Sequence, residues 1–274
     1  MAALEFRLID VFTDRPFAGN QLAVVLDAAS VGASDMQRVA REFNFSETTF
    51  VVPSERDGCD VRVRIFTPEE ELPMAGHPTI GTALVLQAEG RIGERVTFEL
   101  GVGPTPVTIA NGRAEMRQQP PQYLGLHADR VELAAQLGLR AADISGPPER
   151  VSTGAAFLIV PLASLDAIRR LKPASSLRGL VYCFALGGEE PGTTAHCRMF
   201  AAEFGMREDA ATGSAAGPLA AYLVKHHLAQ SPFTFEQGYE MGRPSKIFAR
   251  VEGQEVQVAG SGVIWARGVY DLSG

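Results

Sequence analysis

Residues 208–223, EDAATGSAAGPLAAYL, run an acidic pair into bare hydroxyls and then into an apolar stretch of small residues. The pattern predicts a helix opening at Gly213, with Asp209, Thr212 and Ser214 at its mouth. A helix N-terminus presents unpaired N–H groups and the positive end of the helix dipole, so it attracts anions. Glycine there lets a ligand or another backbone approach closely. Ala215, Ala216 and Gly217 suit a helix wrapped by sheet and buried all round. A Ser or Thr at one helix mouth, however, is ordinary capping chemistry and needs no ligand.

Extending the window upstream gives RMFAAEFGMREDAATGSAAGPLAAYL from Arg198. It echoes RIFTPEEELPMAGHPTIGTALVL from Arg64. Each passes from a basic–apolar–Phe strand through an acidic connection to a glycine, Gly213 or Gly76, that opens a small-residue helix. Similarity at this separation implies two similar lobes. Pro78, favoured at the first helical position, places the first helix at about 78–88. Two matching mouths, one beside His77 and one beside Asp209, form a better anion trap than either alone. Glu47 adds a third element. It opens ETTFVV, a run of buried-strand character, where a carboxylate must be paired or have its pKa raised. A raised carboxyl is what proton transfer near neutrality needs. A solvated Glu at a strand's first residue is the competing explanation.

Around these pieces the chain reads as α+β. Strands are predicted at EFRLIDVF, NQLAVVLDA, ETTFVV, DVRVRIF, RVTFEL, PVTIANG and RAEMRQQ. The helix SDMQRVAREFN, with Ser34 as N-cap and Gln37 three residues on, lies among them. QQPPQYLG is the lobe boundary, giving an N-terminal lobe of 1–118 joined by the final strand 264–274 and a C-terminal lobe of 119–263. The second lobe alternates AFLIVPL, LVYCFAL and AHCRMFA with helices at DRVELAAQLGL, SLDAIRRL and Ser214, then closes with strands.

The 274 residues carry 25 basic and 32 acidic side chains, net −7, with no basic run suited to nucleic acid. No apolar stretch reaches the roughly 18 residues of a membrane span, and the opening EFRLIDVF, without a basic and then apolar lead-in, gives no expectation of a signal peptide. Cys59, Cys183 and Cys197 read as buried thiols in a reducing cytoplasm, and the five histidines show no metal spacing. His127 and His196 read as surface and strand residues, and Trp265 as core. GSAAG is not a nucleophile elbow, and no P-loop is present. A hydrolase built from Ser214, His77 and Asp209 ranks low, because Ser214 at a tight mouth is better placed to bind an anion than to attack a carbonyl.

NFSETTFV, RIFTPEEELPMAGHPTIGTA and RMFAAEFGMREDAATGSAAGPLA together resemble the PhzF family, the isomerases of phenazine biosynthesis and their relatives. NQLAVV and GRPSKIFARVEG carry the resemblance across the whole chain. It implies the diaminopimelate-epimerase-like fold, two lobes each curling a sheet around a central helix, with the site in the cleft between. It also implies a homodimer without cofactor or metal, acting on a small carboxylate. Carried over by position, Glu47 is the general acid/base, and His77 and Asp209 line the proton-transfer site. Gly76, Thr212, Gly213 and Ser214 hold substrate, and Asn20 orients. Related racemases place a cysteine at each helix mouth; Ala75 and Thr212 stand there in this chain. One carboxylate is left to move a proton along a single face, which implies an allylic isomerase. The family's name-giving substrate is trans-2,3-dihydro-3-hydroxyanthranilate. The alternatives are another small acid, or a non-catalytic ligand-binding protein on the same scaffold.

Overall fold

The computed structural model describes residues 3–204 and 206–271. In chain order its main elements begin with β1 (Leu4–Val11), β2 (Asn20–Val25), α1 (Ala33–Phe43), β3 (Glu47–Val52), β4 (Val61–Phe66), β5 (Glu71–Leu72) and α2 (Gly76–Ala88). β6 (Arg95–Leu100), β7 (Gly103–Ala110), β8 (Arg113–Gln118), β9 (Gln122–Leu126), α3 (Arg130–Gln136), β10 (Glu149–Ser152) and β11 (Ala156–Pro161) follow. Then come α4 (Leu165–Arg169), β12 (Val181–Leu186), β13 (Ala195–Ala201), β14 (Met206–Asp209) and α5 (Gly213–Lys225). The chain closes with β15 (Phe233–Gln237), β16 (Ser245–Glu252), β17 (Glu255–Gly260) and β18 (Gly262–Tyr270). Two compact units result, Met1–Met116 with Ala259–Gly274, and Arg117–Val258.

In the first unit β18, β1 and β2 pair antiparallel, β2 and β3 parallel, β3 and β4 antiparallel, β4 and β6 parallel, and β6 and β7 antiparallel. The sheet curls around α2, which packs against β1, β2, β3, β7 and β18. Ten of the thirteen residues of α2 are buried, as its mostly small and apolar sequence requires. Gly81 lets it approach the sheet, since a Cβ there would sit 2.6 Å from Leu22 Cδ2. α1 covers the outer face of the sheet, with Met36, Val39 and Ala40 in one cluster with Val25, Phe50 and Phe66.

The second unit repeats this order. β10–β11 pair antiparallel, β11–β12 parallel, β12–β13 antiparallel, β13–β15 parallel and β15–β16 antiparallel. α5 takes the place of α2 and packs on β10, β11 and β16. The echo between Arg64 and Arg198 is thus one supersecondary unit used twice, and its two glycines are the first residues of α2 and α5. α3 and α4 bury Leu133, Ala134, Ala167 and Ile168 with the outer side of this sheet.

Gly217 marks the tightest approach in α5. A Cβ there would overlap Gln118 Oε1 and lie 2.9 Å from Thr153 Oγ1. Gln118 bonds outward from this spot, donating to Gly213 O at 3.0 Å and accepting from Thr153 Oγ1 at 2.6 Å. Gly217→Ala is therefore expected to displace Gln118 and lower stability by about 2 kcal/mol, the range of an overpacked core. Urea unfolding checks this, and an unchanged midpoint would show that Gln118 moves freely.

Several local expectations are corrected. Gly32, not Ser34, is the N-cap of α1, and its carbonyl accepts from Asp35 and Met36 at 3.0 Å. Gln37 turns to Thr67 O instead of back toward the cap. Pro78 is the third helical residue of α2, not the first. The stretch QQPPQYLG holds a strand, β9, past the division at Met116. Trp265 is not core: it is 36% exposed on β18 and packs on exposed Phe17 at 5.8 Å. Cys59 is half-buried, whereas Cys183 and Cys197 are buried. No helix among the described residues is long and apolar enough to cross a membrane.

Candidate active site

Glu47 is the first residue of β3, paired in parallel register with Leu22 of β2. Residues two apart on a strand share a face. Thr49 bonds Thr82 of α2 at 2.9 Å, so Glu47 shares the face turned to the central helix. Its residue is 9% exposed. Burial is the dominant influence on the carboxyl, pushing its pKa from 4.5 up to about 7, opposed more weakly by the Ser46 hydroxyl. The Thr-Phe-Val run therefore does bury this carboxylate, and burial poises it to hold or release a proton near neutrality.

His77 is the second residue of α2 and 5% exposed. Its Nε2 lies 3.3 Å from Glu47 Oε2. The pair touches without hydrogen-bond alignment, and Glu47 Oε2 accepts no hydrogen bond among the described residues. Asn20, the first residue of β2, has Nδ2 3.4 Å from His77 Nδ1 and accepts from Ser46 Oγ at 3.1 Å through Oδ1. Gly19 turns the chain into this position at φ +60°, where a Cβ would overlap Val11 O. Half-buried Ser46 and buried Asn20, His77 and Glu47 thus form one polar chain in the first unit. Ser46 was not singled out from sequence.

Neither central helix is capped by a side chain. The N-cap of α2 is Ala75, in extended backbone, and its carbonyl accepts from Thr79 Oγ1 at 2.7 Å. The N-cap of α5 is Thr212. Gly76 and Gly213 are buried at the two mouths, and Ser214 is half-buried. In the second unit Thr212 Oγ1 donates to Asp209 Oδ2 at 2.5 Å. Gln237, also unremarked in the sequence, binds this turn from below. Its signal was the alternation in FTFEQ, which puts Gln237 on the face of Phe233 and Phe235.

The structure brings Glu47, His77 and Asn20 together in one unit, and Asp209, Thr212, Gly213 and Ser214 together in the other. Among the described residues the second unit has no counterpart of Glu47. Its parallel pair equivalent to Leu22–Glu47 is Leu158–Val181, both apolar. Cys183 and Cys197 lie in β12 and β13, not at the N-cap position of either central helix, with thiols pushed up by burial. His196 is held in an ion-pair set with Glu236 and Glu240 at 3.1 and 3.2 Å. His127 is exposed. Among the described residues no group of three or more His, Cys, Asp or Glu is arranged to hold a metal.

Residues 9–268 match the family model for phenazine biosynthesis-like proteins, PhzC-PhzF. The chain is 40% identical to the trans-2,3-dihydro-3-hydroxyanthranilate isomerase of Pseudomonas fluorescens, covering 97% of this chain and 98% of that protein. It is 39% identical to the enzyme of the same name from Pseudomonas aeruginosa, covering 95% and 97%. The crystal structure of a PhzF-family phenazine biosynthesis protein from Bacillus anthracis superposes with TM-score 0.90 at 28% identity, over 99% of this chain and 100% of that one. A hydroxyproline epimerase from Agrobacterium vitis shares the fold, with TM-score 0.65 at 11% identity over 99% and 93%. Matched along nearly its whole length by model, relatives and structures alike, the chain belongs to the PhzC-PhzF family of phenazine biosynthesis-like proteins.

Proposed function

We propose that the chain is an isomerase that moves a proton within a small, unsaturated cyclic carboxylic acid, with Glu47 as its acid and base. The substrate that fits best is trans-2,3-dihydro-3-hydroxyanthranilate, on which the 40%-identical relative is named. The observation that carries the reading is the buried Glu47 carboxyl, poised at about pH 7 against His77.

Backbone N–H groups at the two helix mouths, those of Gly76 and His77 in one unit and of Gly213 and Ser214 in the other, are the donors offered to the substrate carboxylate. Uncapped helix N-termini supply this binding without a charged side chain. Ionised Glu47 removes the proton from the ring carbon beside the conjugated system. The C–H pair moves into the ring, the double bonds shift, and charge is relayed toward the carboxylate. Protonated Glu47 then delivers the proton to the far carbon of the same face. One C–H bond breaks and one forms, so no oxidant, water or cofactor enters the balance. His77 and Asn20 hold the base in reacting geometry, and Asp209 stands at the mouth of α5. An apolar residue at the place of Glu47 in the second unit supports a single base, and hence migration of a proton over inversion of a centre. The family resemblance adds a homodimer, which sedimentation tests directly.

Turnover in deuterium oxide tests the proposal. A single base sheltered from water returns part of the abstracted hydrogen, so product carries less than one solvent deuterium at the new C–H. Full incorporation from the first turnover would argue for a second, solvent-exchanged base. Neither turnover of nor exchange into any candidate acid would leave a ligand-binding protein on this scaffold.

A further inference from the structure

We infer that Gln237 is a positioning residue whose side-chain amide presets the mouth of α5 for the substrate carboxylate. The inference rests on the functional reading above for its substrate, and on the second unit alone for its geometry. Gln237 is the last residue of β15 and wholly buried. Its Nε2 donates to Asp209 O at 2.8 Å and to Thr212 Oγ1 at 2.9 Å. Its Oε1 accepts from Thr212 N at 3.1 Å and from Tyr182 Oη at 3.0 Å. Both amide hydrogens and both oxygen lone pairs are used, so the amide has one orientation only.

Three consequences follow for the mouth. The Thr212 hydroxyl accepts from Gln237, so its own proton is committed to Asp209 Oδ2, at 2.5 Å. The Asp209 carboxylate is thereby held in place from the helix side. The Thr212 N–H is consumed by Gln237, and Ala215 N bonds back to Thr212 O at 3.1 Å. Gly213 and Ser214 then remain among the N–H groups of the first turn that can meet an incoming anion. One glutamine thus decides which donors the helix offers, and does so before ligand arrives. A fully satisfied buried network of this kind is rigid, and preset donors bind better than donors that must be ordered.

The test combines steady-state turnover of trans-2,3-dihydro-3-hydroxyanthranilate, equilibrium titration with anthranilate as an inert carboxylate, and amide hydrogen exchange of the full chain. Gln237→Glu, which removes the amide's donors, is expected to raise KM and weaken anthranilate by about tenfold while kcat falls less than about threefold. Exchange at Thr212 should quicken while the helix from Leu219 to Leu223 stays protected. At pH 5 the anthranilate affinity relative to wild type should recover, because a protonated glutamate regains one donor. If Thr212 loses protection but KM and anthranilate affinity stay within about twofold of wild type, Gln237 is scaffold and the proposal falls. Should Gln237→Glu not fold, Tyr182→Phe decides: it removes one donor to Oε1 and should weaken anthranilate about threefold, and no change overturns the proposal. Wild type that binds anthranilate yet leaves the diene acid intact would sink the functional reading, with Gln237 still judged by affinity. Wild type that binds no anthranilate would overturn both.

Discussion

Glu47→Gln is expected to lower turnover on the order of 10³-fold and, at the same time, to make the protein more stable at pH 8. The first effect is the loss of the group that takes and returns the proton, whose contribution in general acid–base catalysis is about 10²–10⁴-fold. Gln keeps the size and one acceptor, so binding of an inert carboxylate should change little. The second effect follows from burial. A carboxyl whose pKa rises on folding, here from 4.5 to about 7, stabilises the native state only while protonated. That contribution is complete below pH 4.5 and is lost as the pH climbs through 7. The span corresponds to about 3 kcal/mol. Gln carries no charge to bury, so the variant escapes the loss, and its advantage should vanish toward pH 4.5. Calorimetry at pH 8 and pH 5 beside kcat at each pH reads both halves. A variant that is inactive but equally stable at pH 8 would mean that Glu47 is ionised without strain, and that burial is not what tunes it.

That tension between stability and activity could be read from residues alone because it lives in a local pattern. Glu before Thr-Thr-Phe-Val-Val sets a charge at the start of a buried strand, and the structure decides for burial over the solvated alternative. The two lobes were legible for a similar reason. The strand, acidic connection and glycine-led helix are contiguous in each copy, and the structure repeats the pairing pattern around both. What escaped was partner choice across long separations. Gln237 meets Asp209 and Thr212 from 28 and 25 residues away, and Gln118 meets Gly213 from 95 away. Nothing in a strand's own alternation says which polar group faces it across a core. The cap errors have a smaller cause. Gly32 supplies a carbonyl to α1 as well as Ser34 could have supplied a hydroxyl, so the helix starts at Ala33 and carries Ser34 into its first turn. Trp265 misled because size suggests core, whereas its place on β18 leaves it half-covered by Phe17.

His77→Ala should lower kcat/KM on the order of 10²-fold, less than Glu47→Gln, because misplacing a reacting group costs about that much without removing it. His77 fills the space beside the carboxyl, and Ala would admit water there. Hydration lowers the desolvation that raises the Glu47 pKa, so the acid limb of the pH–rate profile should move down from about 7 toward 4.5. The base would then be ionised over a wider range and yet work more slowly, a combination that simple loss of a base does not produce. Water at the carboxyl would also exchange its proton between abstraction and return. Deuterium in the product, partial for wild type, should approach one full equivalent in His77→Ala. Three readouts therefore move in set directions: rate down, acid limb down, solvent label up. If His77→Ala instead cost more than Glu47→Gln and left the label unchanged, the imidazole would be the proton carrier and Glu47 its support.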